Sequence, residues 1–170
     1  AASKVVESAG SLTLTGGTLK GASINATNSG ALDITGGTFL MEGGSVTRNL
    51  VDNQYSGTVR LGAGTSMTMT GGQITENRLN GTVLNATPGV LVCEGASFTL
   101  QDGGLISEND GFRGAGVLVF GGTSAGKYDA ETCAGFVMEG GTVSGNRATG
   151  GGSLSAGGGG VYIQNNAQFI

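Results

Sequence analysis

The phrase FVMEGGTVSGN at residues 136–146 returns as FLMEGGSVTRN at 39–49 and as MTMTGGQITEN at 67–77. A fourth copy, FTLQDGGLISEN at 98–109, contains one additional residue, and a weaker copy, LTLTGGTLKG, begins at Leu12. The copies begin 27 to 38 residues apart. Repetition at such a spacing is typical of a solenoid, in which each unit is too small to bury its own apolar face and stacks on its neighbours. The repeats therefore predict an elongated stack of similar turns.

A second pattern precedes the phrase in each repeat. It reads ALDITGGT before Phe39, TVRLGAGTS before Met67, GVLVCEGAS before Phe98 and GVYIQNNAQ before Phe169. The first apolar residue of one phrase lies 27 to 38 residues before that of the next. A constant apolar pattern at variable spacing indicates strands of constant length joined by loops of variable length.

The composition agrees with a β-rich stack. The chain has 36 Gly and 1 Pro in 170 residues, and the glycines punctuate the strands without the triplet period of collagen. Apolar and polar residues alternate with a period of two in every repeat, which favours strands over helices. We therefore predict an all-β chain: a single-stranded, right-handed parallel β-helix with three parallel sheets and about five rungs, forming one domain over residues 1–170.

One polar column recurs at the end of each strong repeat. It consists of Asn49, Asn77, Asn109 and Asn146. Asparagine tolerates turn geometry, and stacked amides can form hydrogen bonds from rung to rung. We expect an internal asparagine ladder in preference to a row of ligand-binding amides.

Two pairs of residues suggest an oxidising, secreted context. Cys93 follows the GVLV strand of one repeat and Cys133 follows the corresponding strand of the next, so a disulfide between them is predicted. Asn25 and Asn85 each begin an Asn-Ala-Thr sequence, which matches the acceptor for N-glycosylation. We accordingly expect an extracellular or cell-surface location.

The sequence shows little that would support catalysis. Without His, neither a Ser-His pair nor a His-bound metal can form, and we expect no enzyme activity, no cofactor and no metal. Arg48, Glu76 and Glu108 form an outward column that is more typical of a charged surface than of a site. Loop acids could meet around calcium, but no pattern fixes their geometry. They are Asp102, Asp110, Asp129 and Glu131.

Charge and hydropathy bear on the partners. The net charge is −4, which leaves no basic stripe for nucleic acid. No apolar run reaches the roughly 20 residues that span a bilayer, so no membrane insertion is expected. Leu91, Leu118 and Tyr162 would form an exposed apolar contact ladder on the outer side of the third strand.

The motifs GGSVTRN, GGQITEN, GGLISEN and GGTVSGN resemble the GG-x-[ILV] and F-x-x-N repeats of the polymorphic outer membrane proteins of chlamydiae. More broadly, the chain resembles the pectin-lyase-like right-handed β-helices of bacterial surface adhesins and autotransporter passengers, from about Ser11 to Ile170. The resemblance implies a surface-displayed structural or adhesive role. It implies no particular activity.

We therefore expect a non-enzymatic extracellular rod that could bind a glycan or another host-surface ligand. A carbohydrate-binding or carbohydrate-cleaving β-helix is the alternative, and an ice-binding solenoid is a minor one, because Leu40 and Val137 interrupt the outward threonines. Both ends carry incomplete repeats without a capping unit. This pattern predicts a segment of a longer solenoid, or subunits that associate end to end through open rungs into filaments.

Overall fold

The computed structural model describes residues 4–80, 83–122, 134–149 and 157–170. Strands in these residues pair in parallel with the equivalent strands of the neighbouring repeats, and no helix occurs among them. The chain is a parallel β-solenoid of about five turns, and the predicted all-β fold is confirmed. The predicted number of sheets is wrong: the sequence pattern predicts three, and the described residues form four.

Two sheets carry six strands each. The first sheet contains β1 (Val6–Ser8), β5 (Gly30–Ile34), β9 (Gly57–Leu61), β13 (Thr87–Val92), β17 (Val117–Gly121) and β21 (Val161–Asn165). The second sheet contains β2 (Leu12–Leu14), β6 (Gly37–Met41), β10 (Thr65–Met69), β14 (Ser97–Leu100), β18 (Ala134–Met138) and β22 (Ala167–Phe169).

The other two sheets carry five strands each. The third sheet contains β3 (Thr18–Lys20), β7 (Ser45–Thr47), β11 (Gln73–Thr75), β15 (Leu105–Ser107) and β19 (Thr142–Ser144). The fourth sheet contains β4 (Ser23–Ile24), β8 (Leu50–Val51), β12 (Arg78–Leu79), β16 (Asp110–Gly111) and β20 (Arg147–Ala148). One strand from each sheet makes a rung, so that rung 1 holds β1 to β4 and rung 5 holds β17 to β20.

The fourth sheet escapes the sequence pattern because its strands are two residues long. A period of two cannot be recognised in two residues, and these segments read as loops. The sheet nevertheless has its own apolar contacts: Ile24 and Val51 are fully buried and pack with Ala22, Ala31 and Ala86. This small cluster is separate from the main core and packs the fourth-sheet strands of the first three rungs against the rod.

The main core follows the predicted columns. The first apolar residue of each phrase stands in register with its equivalent in the next rung, in the order Leu12, Phe39, Met67, Phe98, Phe136 and Phe169. The rings of Phe98 and Phe136 stack with centroids 4.9 Å apart, and those of Phe136 and Phe169 stack at 5.0 Å. Apolar burial therefore runs without interruption along the axis, and it supplies most of the stabilisation.

The predicted contact ladder exists in register, but it is not exposed. Leu91 pairs with Leu118, and Leu118 pairs with Tyr162. Both leucines are buried, in a cluster with Phe120 against which Tyr55 and Tyr162 pack. The Tyr55 ring reaches that of Phe120 from a loop, with centroids 5.6 Å apart. Strand alternation correctly places these side chains outside the main core, but contacts between distant parts of the chain cover them.

Candidate functional site

Asn49, Asn77, Asn109 and Asn146 stack at the corner between the third and fourth sheets. The side-chain Nδ2 of Asn49 donates to Oδ1 of Asn77 at 2.9 Å, and Asn77 donates to Asn109 at 3.0 Å. Asn109 continues the series to Asn146 at 2.9 Å. The backbone N–H of the first three residues donates to the same Oδ1 atoms at 3.0 to 3.1 Å. This is the amide ladder that the repeated asparagines predict.

Each amide also binds the rung behind it. Nδ2 of Asn77 donates to the carbonyl oxygen of Val46 at 3.0 Å, and Nδ2 of Asn109 donates to that of Ile74 at 3.0 Å. Asn49, Asn77 and Asn109 are buried. A buried amide that lost these partners would keep the full cost of its desolvation, so the ladder stabilises the corner and presents little to a ligand.

The residue before each asparagine has a left-handed backbone, and so does Gly21, which precedes Ala22 at the equivalent place in the first rung. The φ angles are 76° at Gly21, 55° at Arg48, 57° at Glu76, 54° at Glu108 and 62° at Gly145. Glycine occupies this column in the first and fifth rungs, and a charged residue occupies it in the three rungs between. A non-glycine residue in this region is uncommon, because its Cβ crowds the backbone. The three side chains extend outward from the corner, where they are exposed.

The residues that directly follow the asparagines form a second column. Together the two columns line an open groove of about 660 Å³, with the asparagine corner as its floor. We call it the corner groove, and it is lined by Arg48, Glu76, Glu108 and Gly145 on one side and by Leu50, Arg78, Asp110 and Arg147 on the other. The groove crosses rungs 2 to 5.

Four of the six charged side chains in the groove form ion pairs with each other. Nε of Arg48 lies 2.7 Å from Oε2 of Glu76, and Nη2 of Arg147 lies 2.5 Å from Oδ2 of Asp110. Both pairs are largely exposed, so each contributes at most about 1 kcal/mol to stability. Arg78 and Glu108 form no ion pair with any residue in the described parts of the chain. The groove thus carries three positive and three negative side chains, and one of each forms no ion pair within the described ranges.

The sequence pattern identifies only one side of this groove. It finds the column of Arg48, Glu76 and Glu108, but it treats the column as a charged surface. It misses Arg78 and Arg147 and names Asp110 only as a loop acid, because the segment after the asparagine reads as a loop. A signal was present: a charged residue follows the asparagine directly in three of the four strong repeats.

The loop acids are not assembled into a cation site in the described structure. No group of three metal-ligating side chains converges within residues 4–80, 83–122, 134–149 and 157–170. Asp129 and Glu131 lie outside these residues. Asp110, which the sequence left as a weak calcium candidate, instead contacts Arg147.

A second charged cluster lies on the outer side of the first sheet. The carboxylate of Asp33 is buried, 2.9 Å from Nη1 of Arg60 and 2.7 Å from Nζ of Lys4. Hydrogen bonds to Asp33 and then to Glu7 raise the pKa of Lys4. A cation with a raised pKa in the folded state stabilises that state at neutral pH, and this contribution is lost as the pH rises through the raised value. The cluster ties the first rung to the next two.

The cysteines and the glycosylation sequences are only partly placed. Cys93 is half-buried and forms no disulfide with any residue in the described ranges, and burial raises the pKa of its thiol. Cys133 lies outside the described residues, so the disulfide stays a prediction, which mass spectrometry before and after reduction would test. Asn25 is exposed. Asn85 is half-buried, and Thr87 of its sequence is buried, with its hydroxyl donating to the carbonyl of Gly114 at 2.6 Å.

The outward threonines of the second sheet are interrupted as expected. Thr13, Thr68 and Thr99 stand in one register column, with Leu40 between the first two and Val137 after the last. All five are at least partly accessible to solvent. The column is therefore a mixed surface and does not form a continuous array of hydroxyl groups.

Fold and corner define the class of this protein as a parallel β-solenoid with an internal asparagine ladder. A scan of protein-family models and searches of curated proteins and of solved structures return no match to the chain. Within the described ranges, no helix has the length and apolarity required to cross a bilayer.

Proposed function

We propose that this chain is a non-enzymatic rod with a structural or adhesive role, located outside the cell or on its surface. The observation that carries the proposal is the continuous stack. The same apolar columns and the same amide ladder hold consecutive rungs in register, so the chain forms a stiff scaffold along its axis. Such a scaffold suits the display or spacing of other groups.

The resemblance of the repeats to those of bacterial adhesins and autotransporter passengers supports the adhesive form of this proposal. In adhesive solenoids, ligands contact side chains that project from the stack, because inward positions are filled by the core. The corner groove is a concave surface that such a ligand could contact. Its charged side chains project from a corner that the buried ladder holds in place.

Two measurements on the purified chain test the proposal. Small-angle scattering should give the profile of an elongated rigid particle, and surface immobilisation of the chain should promote attachment of cells or of host-surface glycoproteins. A compact or flexible profile would contradict the structural role. A rigid rod that binds no cell, glycoprotein or glycan would retain the structural role and remove the adhesive one.

Self-association is a separate part of the proposal. Parallel strands with open edges can add strands from another chain. Electron microscopy at increasing protein concentration tests this directly: filaments many rungs long would support end-to-end association, and particles of constant length at all concentrations would reject it.

A carbohydrate-cleaving solenoid is the second candidate, and one observation favours it. Glu76 and Glu108 occupy the same column in adjacent rungs of the groove, and adjacent rungs are about 4.8 Å apart. Retaining glycosidases hold their two carboxyl groups about 5 to 5.5 Å apart. Release of reducing sugar from a polysaccharide panel, abolished by Glu76→Gln and by Glu108→Gln, would establish this function and overturn the non-enzymatic proposal.

A further inference from the structure

We propose that the corner groove binds an extended polypeptide segment that carries a basic and an acidic side chain on the same face. This inference rests on the adhesive form of the proposed function and specifies its ligand. The argument uses the backbone of the corner, the charges of the groove and its shape.

The backbone shows that charge at this corner is not required by the fold. Arg48, Glu76 and Glu108 adopt φ angles of 54° to 57°, in a column where Gly21 and Gly145 also occur. Glycine adopts this conformation without the steric penalty that other residues incur. Residues held in a sparsely populated backbone region are concentrated at functional sites. The three middle rungs therefore carry long charged side chains at positions where the turn itself favours glycine.

The charges select the class of ligand. A polyanion such as nucleic acid or a sulfated glycan would meet Glu76, Glu108 and Asp110, and a polycation would meet three arginines. A ligand with both charges avoids these repulsions. Arg78 and Glu108 form no ion pair in the described residues, so they are the groups that a carboxylate and an ammonium of the ligand would contact.

The shape favours a polypeptide over a sugar. Rungs 2 to 5 extend over roughly 14 Å, which equals about four residues of an extended chain. In such a chain, side chains two residues apart share a face and stand roughly 7 Å from each other, so one chain can present both charges to adjacent rungs. Of the described residues that line the groove, none is aromatic, and a flat ring on which a sugar could stack is missing there.

The test uses capped heptapeptides in which threonine alternates with charged residues. One peptide carries lysine and aspartate, a second only lysine, and a third only aspartate. On the immobilised chain, we expect the mixed peptide to bind at least tenfold more tightly than either of the others. Binding should weaken severalfold in 1 M salt, where the screening length falls to about 3 Å.

Variants locate the binding. Glu108→Gly and Arg78→Gln should each lower the affinity for the mixed peptide about tenfold, because each removes one charge-assisted contact. Glu139→Gln and Lys20→Gln remove exposed charges elsewhere and should leave the affinity unchanged. Thermal unfolding of Glu108→Gly should show a midpoint equal to or above that of the native chain, since glycine suits the left-handed corner. A loss of binding would then not result from a loss of fold.

Three results would overturn the inference: equal binding of all three peptides, no binding of the mixed peptide at about 1 mM, or binding that survives both groove substitutions. Selective binding of an oligosaccharide that carries amino and carboxyl groups, without binding of the mixed peptide, would also overturn it. Cell attachment is measured on the same variants. Attachment unaffected by Glu108→Gly and Arg78→Gln would reject the groove as the ligand site while the adhesive rod stands.

Discussion

Two of the corners that turn each rung differ in how much space surrounds their left-handed residue. At the glycine pair between the second and third sheets, φ is 83° at Gly44 and 79° at Gly72. At the asparagine corner, Arg48 and Glu76 adopt φ angles of 55° and 57°. Both corners use a left-handed residue, but only the first uses glycine in every strong repeat.

The neighbouring rung explains the difference. A Cβ built on Gly72 would lie 2.7 Å from the backbone carbon of Gly43 and 2.8 Å from Cε of Met41. At the asparagine corner, the side chain of Glu76 instead leaves the rod towards solvent, where it meets Arg48. A left-handed φ angle favours glycine, but close packing of the next rung makes glycine obligatory. The asparagine corner can therefore vary its outer residue, whereas the glycine corner cannot where it packs on a preceding rung, as at Gly44 and Gly72.

The largest effect is expected from Asn77→Leu, which removes the support under the variable corner. Leucine would remove the Oδ1 atom that accepts from the backbone N–H and Nδ2 of Asn49, and the amide that donates to the carbonyl of Val46. Orphaned buried groups cost about 1 to 3 kcal/mol each, so the free energy of unfolding should fall by about 3 to 5 kcal/mol. Chemical denaturation measures the change. Asn80→Leu, at an exposed position, is the matched control and should change little.

Gly72→Ala should have the next largest effect, because it combines an unfavourable φ angle with a collision. We expect a loss of about 2 to 4 kcal/mol in the free energy of unfolding. Gly64→Ala separates the two causes, since Gly64 has a φ of 72° but no atom within 4 Å of the added Cβ. It should lose about 1 kcal/mol. Equal losses in the two variants would show that packing does not distinguish the corners. Thr68→Ala, on the outer surface, should cost less than either.

Glu76→Gly tests whether the asparagine corner tolerates glycine in place of its charged residue. Glycine relieves the strain of the left-handed backbone, which stabilises the folded state. Two effects oppose this gain: the exposed ion pair with Arg48 is lost, and glycine gives the unfolded chain more conformational entropy. The free energy of unfolding should therefore change by less than about 1 kcal/mol. A loss of several kcal/mol on thermal or chemical unfolding would mean that the charged side chain stabilises the corner, and the functional argument for its presence would fail.

The smallest effect is expected from Ala22→Asn, which would extend the ladder into the first rung. The backbone N–H of Ala22 already donates to Oδ1 of Asn49 at 2.9 Å, in the manner of the asparagines above it. An added amide could also donate to that Oδ1 and raise the free energy of unfolding by up to about 1 kcal/mol. A decrease in the melting temperature would indicate that the first corner lacks the space that the later corners provide.

Much of this comparison could be predicted from the sequence. The repeated GG and Asn positions indicate both corners, and the alternation in each phrase places Phe39, Met67 and Phe98 in one buried column. These features repeat because each rung meets an almost identical neighbour. A pattern seen in four copies therefore reports a contact that occurs in each of them.

Features that depend on segments outside the repeated phrase could not be predicted. The fourth sheet is formed by pairs such as Leu50–Val51, which are too short to show a period. Leu91 and Leu118 alternate as outward residues, yet loop side chains such as Tyr55 help to bury them. Arg78 becomes part of the groove only because the fourth sheet places it on the side opposite the column that contains Glu76 and Glu108.

The sequence by itself determined the repeat, its inward columns and the positions of its two corners, because these follow from local periodicity and from the conformational preferences of glycine and asparagine. Only the tertiary structure decided the number of sheets, the burial of the outer leucines and the joining of two charged columns into one groove. Those properties depend on which surfaces meet when rungs and loops pack together. Packing of segments distant in the chain leaves no periodic signal in the amino-acid order.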